Sequence, residues 1–337
     1  ILLVLGFWVR LYKIDNPIAD WHSWRQADTS AVTRNFFKSG INVLYPQGDD
    51  LSDVSGNGAN TEGYRFVEFP IFNLFHYSMA KLLPQKTLEY SGRLTTALAS
   101  LVSAVLLFAI VSKKTNGWTG LVAAGTFLLL PYNIFYSRVI LPDPLAVTFV
   151  LAALLAFEYK NRLLTILFGI LAVLAKPTAV FFLLPIIFEF WLFIPILAPF
   201  VAWRWWESQF PTGIPANTWL LNGNGIRFKG AFFRWIFGER IVSIILGKWG
   251  LIPFGMGILN SQKFGLWTIG ALLYLFIFAT GNVQHDYYQI PIIPIVSILV
   301  AIGAVHMWQT WRGKALVVVS LLLAMALSWY EVRGWYQ

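Results

Sequence analysis

The chain contains no cysteine and little charge. The missing thiols exclude disulfides and thiolate metal sites. Charged residues make up only 12% of the 337 positions and hydrophobic residues 57%, whereas about a quarter of a typical soluble domain is charged. Soluble-enzyme signatures are missing as well. There is no phosphate-binding glycine loop ending in Lys and Ser or Thr, no dinucleotide fingerprint and no zinc spacing on a helix. The four histidines are scattered, which argues against a preformed multi-histidine metal site. No internal repeat is visible.

What the chain has instead is long uncharged runs. Segments 94–112, 117–137, 264–284 and 287–309 are the clearest, each near the roughly 20 apolar residues that cross a bilayer. Backbone in lipid must satisfy its hydrogen bonds within the segment. The expected fold is therefore all-α and polytopic, a single transmembrane domain over 1–337 with about eleven spans. The net charge of +9 then reflects cytoplasmic loops and contacts with anionic lipid rather than nucleic acid. Residues 1–9 are apolar, too short to span and begin without methionine, so a first helix truncated at its start and no cleavable signal are expected.

Basic joints recur at every second connection: Lys113 and Lys114, Lys160 and Arg162, Lys263, and Arg312 with Lys314. The positive-inside rule assigns them to the cytoplasm. The alternate joints, 138–143 and 285–288, then fall outside with the long polar region 12–92. Segment 163–202 disturbs the count. It is almost continuously apolar, broken at Lys176-Pro177, and too short after Pro177 for the two crossings that parity requires, as if a loop were missing near Phe193 and Ile194.

Within 12–92, Asp28, Thr29 and Ser30 suit the N-terminus of an interfacial helix ending at Ser39-Gly40. Residues 47–63 read as a mobile loop, and Pro70 as the first turn of a second helix with Ile71, Leu74, Phe75, Tyr77 and Met79 buried. Segment 203–240 carries Arg204, Arg227, Lys229, Arg234 and Arg240 among five tryptophans, a second interfacial element. Further helices are expected over 241–259, 264–281, 287–308 and 315–330.

Chemistry concentrates in 19–35, where Asp20, His22, Arg25 and Asp28 lie close together. Other polar candidates are Arg65, Glu68, Arg138, Lys176, Arg240, His285, Tyr287 and Tyr288. Each has a plain alternative: Asp28 as an N-cap, Asp20 as a solvated loop residue, Arg25 as the partner of Asp28, Asp143 as the cap of its span, Arg93 as the closure of a helix end, and the two tyrosines as an aromatic belt.

The order of these landmarks resembles a family. A first span, an acidic outer segment with an amphipathic helix, Tyr64-Arg65-Phe66-Val67-Glu68-Phe69-Pro70, Ser91-Gly92-Arg93-Leu94, Ser137 to Pro144, Leu174-Ala175-Lys176-Pro177-Thr178 and His285-Asp286-Tyr287-Tyr288 follow the GT-C superfamily of membrane glycosyltransferases. They are most similar to the branch of protein O-mannosyltransferases and aminoarabinose transferases. The resemblance implies inverting transfer of a sugar from a polyprenyl-phosphate donor to a glycan, lipid or protein acceptor, in a prokaryotic inner membrane and on its extracytoplasmic face. It also implies a base in the first outer segment, a role that falls to Asp20 or to its rival Asp28. Arg25, His22, Arg65, Glu68, Arg138, Lys176, Arg240, His285, Tyr287 and Tyr288 are the implied donor and substrate contacts.

Glu68 matches the glutamate of the Glu-Lys-Pro motif in the aminoarabinose branch, but Phe69 replaces the lysine that there faces the lipid phosphate. The chemistry suits these residue types independently: a carboxylate takes the acceptor proton and cations hold the departing phosphate. The residues name no cofactor; a divalent metal among Asp20, Glu68 and His285 is a further reading. A transporter or lipid flippase, or a noncatalytic subunit of glycan assembly, is the alternative class. Charges gathered in outer joints rather than inside helices favour the enzyme.

Overall fold

The structure is a computed structural model describing residues 1–216 and 218–336. Sixteen α-helices are present among them, joined by several 3₁₀ stretches and one π-helix. They are α1 (Leu2–Arg10), α2 (Ser23–Ser39), α3 (Ile71–Leu82), α4 (Leu88–Lys114), α5 (Gly117–Leu129), α6 (Pro131–Tyr136), α7 (Asp143–Glu158), α8 (Arg162–Ala175) and α9 (Phe193–Glu207). After them come α10 (Trp219–Asn222), α11 (Gly230–Phe233), α12 (Leu251–Asn260), α13 (Gly265–Ile277), α14 (Ala279–Gln284), α15 (Ile293–Met307) and α16 (Trp311–Val332). No strand occurs among the described residues beyond the isolated bridge of Gln47 with Tyr64.

Local sequence sets the helix ends. Thr87, Asn116, Asn161 and Thr310 each cap the following helix by accepting from a backbone N–H of its first turn, which satisfies one of the donors a helix start leaves free. Helices α7 and α15 are buried almost all round, as expected of apolar helices without a polar face. They form the centre: α15 packs on α12 and α5, and α7 on α8 and α4. The α12–α15 contact relies on Gly257 and Gly303, where a Cβ would collide with the backbone carbonyls of Leu299 and Pro253 respectively. Small residues at crossings of this kind let apolar helices approach by backbone.

Four described helical stretches are long and apolar enough to cross a membrane by length and composition, against the expected eleven or so. Many of the expected spans are short, kinked or divided. The apolar run 177–207 is the clearest case: it satisfies the length criterion as one stretch, yet the chain reverses within it. Arg162 Nε at the start of α8 donates to Glu189 Oε2 at 2.9 Å. Ile196 lies beside Gly169 in the middle of α8. Trp203 packs on Phe66 and Phe69, and Phe69 N–H bonds to Leu174 O at the far end of α8. Residues 177–192 therefore run down α8 and α9 runs back. The descending leg is a 3₁₀ helix, whose rise of about 2.0 Å per residue stretches twelve residues to roughly 24 Å. Two legs thus fit where an α-helical count left room for one, and the turn at Glu189, whose backbone is non-helical, stands where a loop was expected to be missing.

Other boundaries differ from the sequence expectation. Helix α2 begins at Ser23, not at Asp28, and His22 at its N-cap position adopts a left-handed backbone (φ 58°). The expected helix over 241–259 is split into a π-helix, Arg234–Ile245, and α12. The joint passes Gly247, at φ 51° and against the carbonyl of Ala324. Segment 47–63 is knit by local hydrogen bonds, among them Asn60 Nδ2 to Tyr64 O (2.8 Å) and Gly48 N to Gly63 O (2.7 Å).

Polar and charged residues gather at the two ends of the bundle. At one end Lys114 Nζ meets Glu158 Oε1 at 2.5 Å, Lys263 Nζ donates to Lys114 O at 2.7 Å, and the Arg162–Glu189 pair sits beside them. The other end holds the segment 12–92 and the polar joints before α7, after α8 and before α15. Replacing Gly303 by Val is expected to lower the thermal midpoint of the detergent-solubilised protein, with a cost of about 1–3 kcal/mol from forced overpacking; Gly334→Val, in open space, is the control that should leave the midpoint unchanged.

Candidate active site

Most of the polar candidates stand at a helix terminus or break, where free backbone groups and chain direction tolerate polarity in an apolar bundle; Arg240, inside the π-helix, is an exception. Arg25 and Asp28 lie on the first turns of α2. Glu68 precedes α3, Asp143 opens α7, Lys176 is the residue between α8 and the 3₁₀ leg, and Tyr287 and Tyr288 lie in the 3₁₀ turn before α15. Asn73 of α3 fixes α2 in place by donating to Thr29 O (2.7 Å) and Thr33 Oγ1 (3.0 Å).

The central cluster contains two cations and two carboxylates. Arg25 Nη2 donates to both oxygens of Glu68, at 2.7 and 2.8 Å. Lys176 Nζ donates to Glu68 Oε1 at 2.9 Å and to Asp143 Oδ2 at 3.3 Å. Burial alone would raise the pKa of Glu68, but Arg25 and Lys176 together hold it down to about 2. In return, the carboxylates outweigh the burial of Arg25 and Lys176 and raise both above their ordinary values. Lys176 Nζ also lies 5.8 Å from the centre of the Tyr288 ring. Asp143 Oδ1 is buried with no hydrogen-bond partner among the described residues.

Beside this cluster, Arg65 Nη2 meets Asp28 Oδ2 at 2.5 Å. Both line a cleft that also exposes Arg25 and Glu68. Burial lowers the Arg65 pKa, the repulsion of Arg25 adding to the effect. A second, apolar cleft leads away from Asp143 and Lys176 between α7, the 3₁₀ leg, α13 and the start of α15, with Val147, Phe182, Trp267 and Pro294 among its walls.

Asp20 sits elsewhere and is sealed. Its Oδ2 lies 3.3 Å from both Arg93 Nη2 and Arg138 Nη2, its Oδ1 accepts from Gln26 Nε2 at 2.7 Å, and its side chain is 1% exposed. Arg93 and Arg138 also donate to the carbonyls of Ile14, Asn16, Pro17 and Lys13. This arrangement ties the segment after α1 to α4 and to the joint before α7.

A third cluster surrounds Asp286. Its Oδ2 accepts from Trp21 Nε1 at 2.7 Å and lies 3.8 Å from His22 Nε2. Arg240 Nε is 2.8 Å from Oδ1, a charge contact without the alignment of a hydrogen bond. His22, His285 and Tyr287 pack edge to face or stacked at centroid distances of 5.1–5.5 Å. Burial, and then His22, push His285 down to about 4, so its ring is neutral near pH 7.

Several sequence readings change accordingly. Asp28 makes no cap, and Arg25 pairs with Glu68 rather than with Asp28. Arg93 holds Asp20 instead of closing a helix end. Asp143 forms no side-chain cap but accepts from Lys176. His285 is not a standing cation, and Arg240 and Arg138 are committed to Asp286 and Asp20. Asp20, Glu68 and His285 lie in three different clusters, and among the described residues no three His, Cys, Asp or Glu side chains converge to hold a metal. The residues that sequence reasoning undervalued are Gln26, Asp143 and Asp286. Asp143 had a signal, as the lone carboxylate at the head of the uncharged run 144–157.

Asp20→Asn is expected to destabilise the protein by about 3–5 kcal/mol, since it leaves two buried guanidinium groups facing one neutral amide. Loss of the monodisperse peak in size-exclusion chromatography, or a fall in thermal midpoint, checks this.

The model of the dolichyl-phosphate-mannose-protein mannosyltransferase family matches residues 70–212. No curated protein matches the chain in sequence. Among solved structures, ArnT from Cupriavidus metallidurans bound to undecaprenyl phosphate is similar with a TM-score of 0.69 and 13% identity, over 95% of this chain and 62% of that one. Its apo state gives 0.63 and 14%, over 99% and 72%. The Archaeoglobus fulgidus oligosaccharyltransferase in complex with zinc and sulfate gives 0.59 and 10%, over 100% and 52%. The chain thus spans about half to three quarters of the length of these proteins. Its fold is that of the GT-C superfamily of membrane glycosyltransferases, and within that superfamily it resembles ArnT.

Proposed function

We propose that the protein is an inverting glycosyltransferase that moves a sugar from a polyprenyl-phosphate donor to a hydroxyl or phosphate of an acceptor on the extracytoplasmic face of the membrane. The observation that carries this reading is the Arg25–Glu68–Lys176–Asp143 cluster lying between two clefts, one polar and edged by Asp28, the other apolar and ending at Lys176. A lipid phosphate has the matching chemistry, with an anionic head for the cations and a hydrocarbon tail for the apolar cleft.

In the reaction the acceptor oxygen forms a bond to the anomeric carbon while its proton passes to a carboxylate. The bond from that carbon to the phosphate oxygen breaks, and its electron pair leaves with the polyprenyl phosphate. Glu68 is a weak base because two cations hold its pKa down to about 2. Asp20 is enclosed. Asp28 faces the cleft and has one cationic neighbour, so we assign it the base. Lys176 and Arg25 meet the donor phosphate when its oxygens displace Glu68 and Asp143 from them, a charge-assisted exchange that keeps each cation paired. Phe69 occupies the position of the lysine in the Glu-Lys-Pro motif, and Lys176 supplies the cation in its place. Tyr287 and Tyr288 stack at 4.8 Å beside Lys176 and flank the donor head group.

Purified protein incubated with a panel of polyprenyl-phosphate sugars should release the lipid phosphate. Asp28→Asn should lower kcat by about 10²–10⁴ while the protein stays folded; full turnover in that variant, or no release from any donor by the wild type, refutes the reading. The face is tested separately. Because the chain has no native cysteine, single cysteines at Asn42 and at Lys113 are clean reporters: the impermeant maleimide should label Asn42→Cys in intact cells and Lys113→Cys only after permeabilisation.

A further inference from the structure

A third cleft lies on segment 12–92, along the far end of α2, and no role above uses it. Asn35, Asn42, Tyr45, Gln47, Tyr64 and Phe210 line it, and none of its lining residues is charged. Arg34 and Asp49 beside it form an ion pair with each other, and Asn35 Nδ2 also donates to Asp49 Oδ1 (3.2 Å). The aromatic walls are mutually braced: Tyr45 packs on Tyr64, Trp206 and Phe210 at centroid distances of 5.5–5.7 Å, and Tyr64 on Phe210 at 5.4 Å. The polar wall is fixed as well. Asn35 Nδ2 donates to Gln47 O (3.0 Å) and Gly48 O (3.1 Å), and Gln47 Nε2 donates to Glu62 O (2.9 Å). Those bonds use the amide nitrogens, and the side-chain oxygens of Asn35 and Gln47 accept no hydrogen bond among the described residues.

The cleft adjoins the proposed base. Pro46 and Arg65 belong to the Asp28 cleft, while their chain neighbours Tyr45, Gln47 and Tyr64 belong to this one. Asp28 and Asn35 are seven residues apart on α2, hence on one face and about 10 Å apart along the axis. A ligand reacting at Asp28 and extending along α2 enters the uncharged cleft.

We propose that this cleft binds the acceptor, and that the acceptor is a short neutral saccharide whose terminal sugar reaches Asp28. Sugars present hydroxyl edges, which suit neutral amide donors and acceptors, and C–H faces, which suit aromatic rings with a polar edge. A phospholipid head or an acidic or basic peptide would call for countercharge that the cleft lacks. The proposal rests on the transferase reading for its direction but not for its binding test.

The test uses the full chain in detergent and an array of immobilised neutral di- to hexasaccharides, with a panel of immobilised peptides alongside. Wild type should retain a subset of the saccharides. Asn42→Ala, an exposed change, and Tyr64→Ala should each weaken retention at least tenfold, while Asp28→Asn should retain the same subset. In donor turnover with a retained saccharide as acceptor, Asn42→Ala should raise the acceptor KM with little change in kcat. Retention of peptides instead, or equal saccharide retention by Asn42→Ala and Tyr64→Ala, overturns the proposal even if lipid phosphate is released from the donor. Saccharide retention that depends on Asn42 and Tyr64, with no donor turnover at all, upholds the cleft and refutes the transferase reading.

Discussion

Charge inside an apolar helix bundle must be neutralised where it stands, because neither lipid nor packed side chains solvate it. The Glu68 carboxylate, shared between Arg25 and Lys176, meets this constraint at the centre of the site. It joins three parts of the chain that are distant in sequence: helix α2, the extended segment before α3 and the break after α8. Through Lys176 the network also takes in Asp143 at the head of α7. The same rule explains Asp20 between Arg93 and Arg138, and Asp286 against Arg240 and Trp21. Each set fixes one corner of segment 12–92 to the bundle, so these polar residues also hold the joint between the two together.

This balance has a chemical consequence. A carboxylate held by two cations is well ordered but weakly basic, and a cation held by two carboxylates is positioned but already partnered. On the reading proposed above, a phosphate donor would offer the same two cations an alternative anionic partner. A base for the acceptor has to lie at the network's edge. Asp28, with one arginine beside it and a cleft in front of it, has that position, and Asp20 does not. The uncharged cleft farther along α2 extends the same logic outward, from ionic contacts at the donor to neutral ones where a sugar would lie.

Much of the architecture was legible in the chain. Long uncharged runs dictate helices in a bundle, and the alternation of Lys113-Lys114, Lys160 and Lys263 with the polar joints anticipates polar and charged residues at its two ends. The order of landmarks from Tyr64 to Tyr288 carried the resemblance that the fold similarity bears out. Reading failed where local geometry departed from the α-helix. The run 177–207 was uncountable at 1.5 Å per residue, because its first leg is 3₁₀ and the reversal is marked by Glu189 alone rather than by a polar loop. The left-handed His22 likewise moved the start of α2 ahead of the capping residues suggested by composition.

By itself the sequence determined that this is a helical membrane-type bundle, and which residue types are available for phosphate and proton chemistry at one of its ends. Composition and period are local properties, and they suffice for that. Partnership was decided only by the tertiary structure. Asp20, Asp28, Glu68 and Asp143 look alike as isolated carboxylates, and spacing along the chain assigns none of them to a cation 33 to 118 positions away. Burial and the positions of Arg25, Arg65, Arg93, Arg138 and Lys176 made them different, because in a low-dielectric interior the nearest countercharge, not the sequence neighbour, sets what a carboxylate can do.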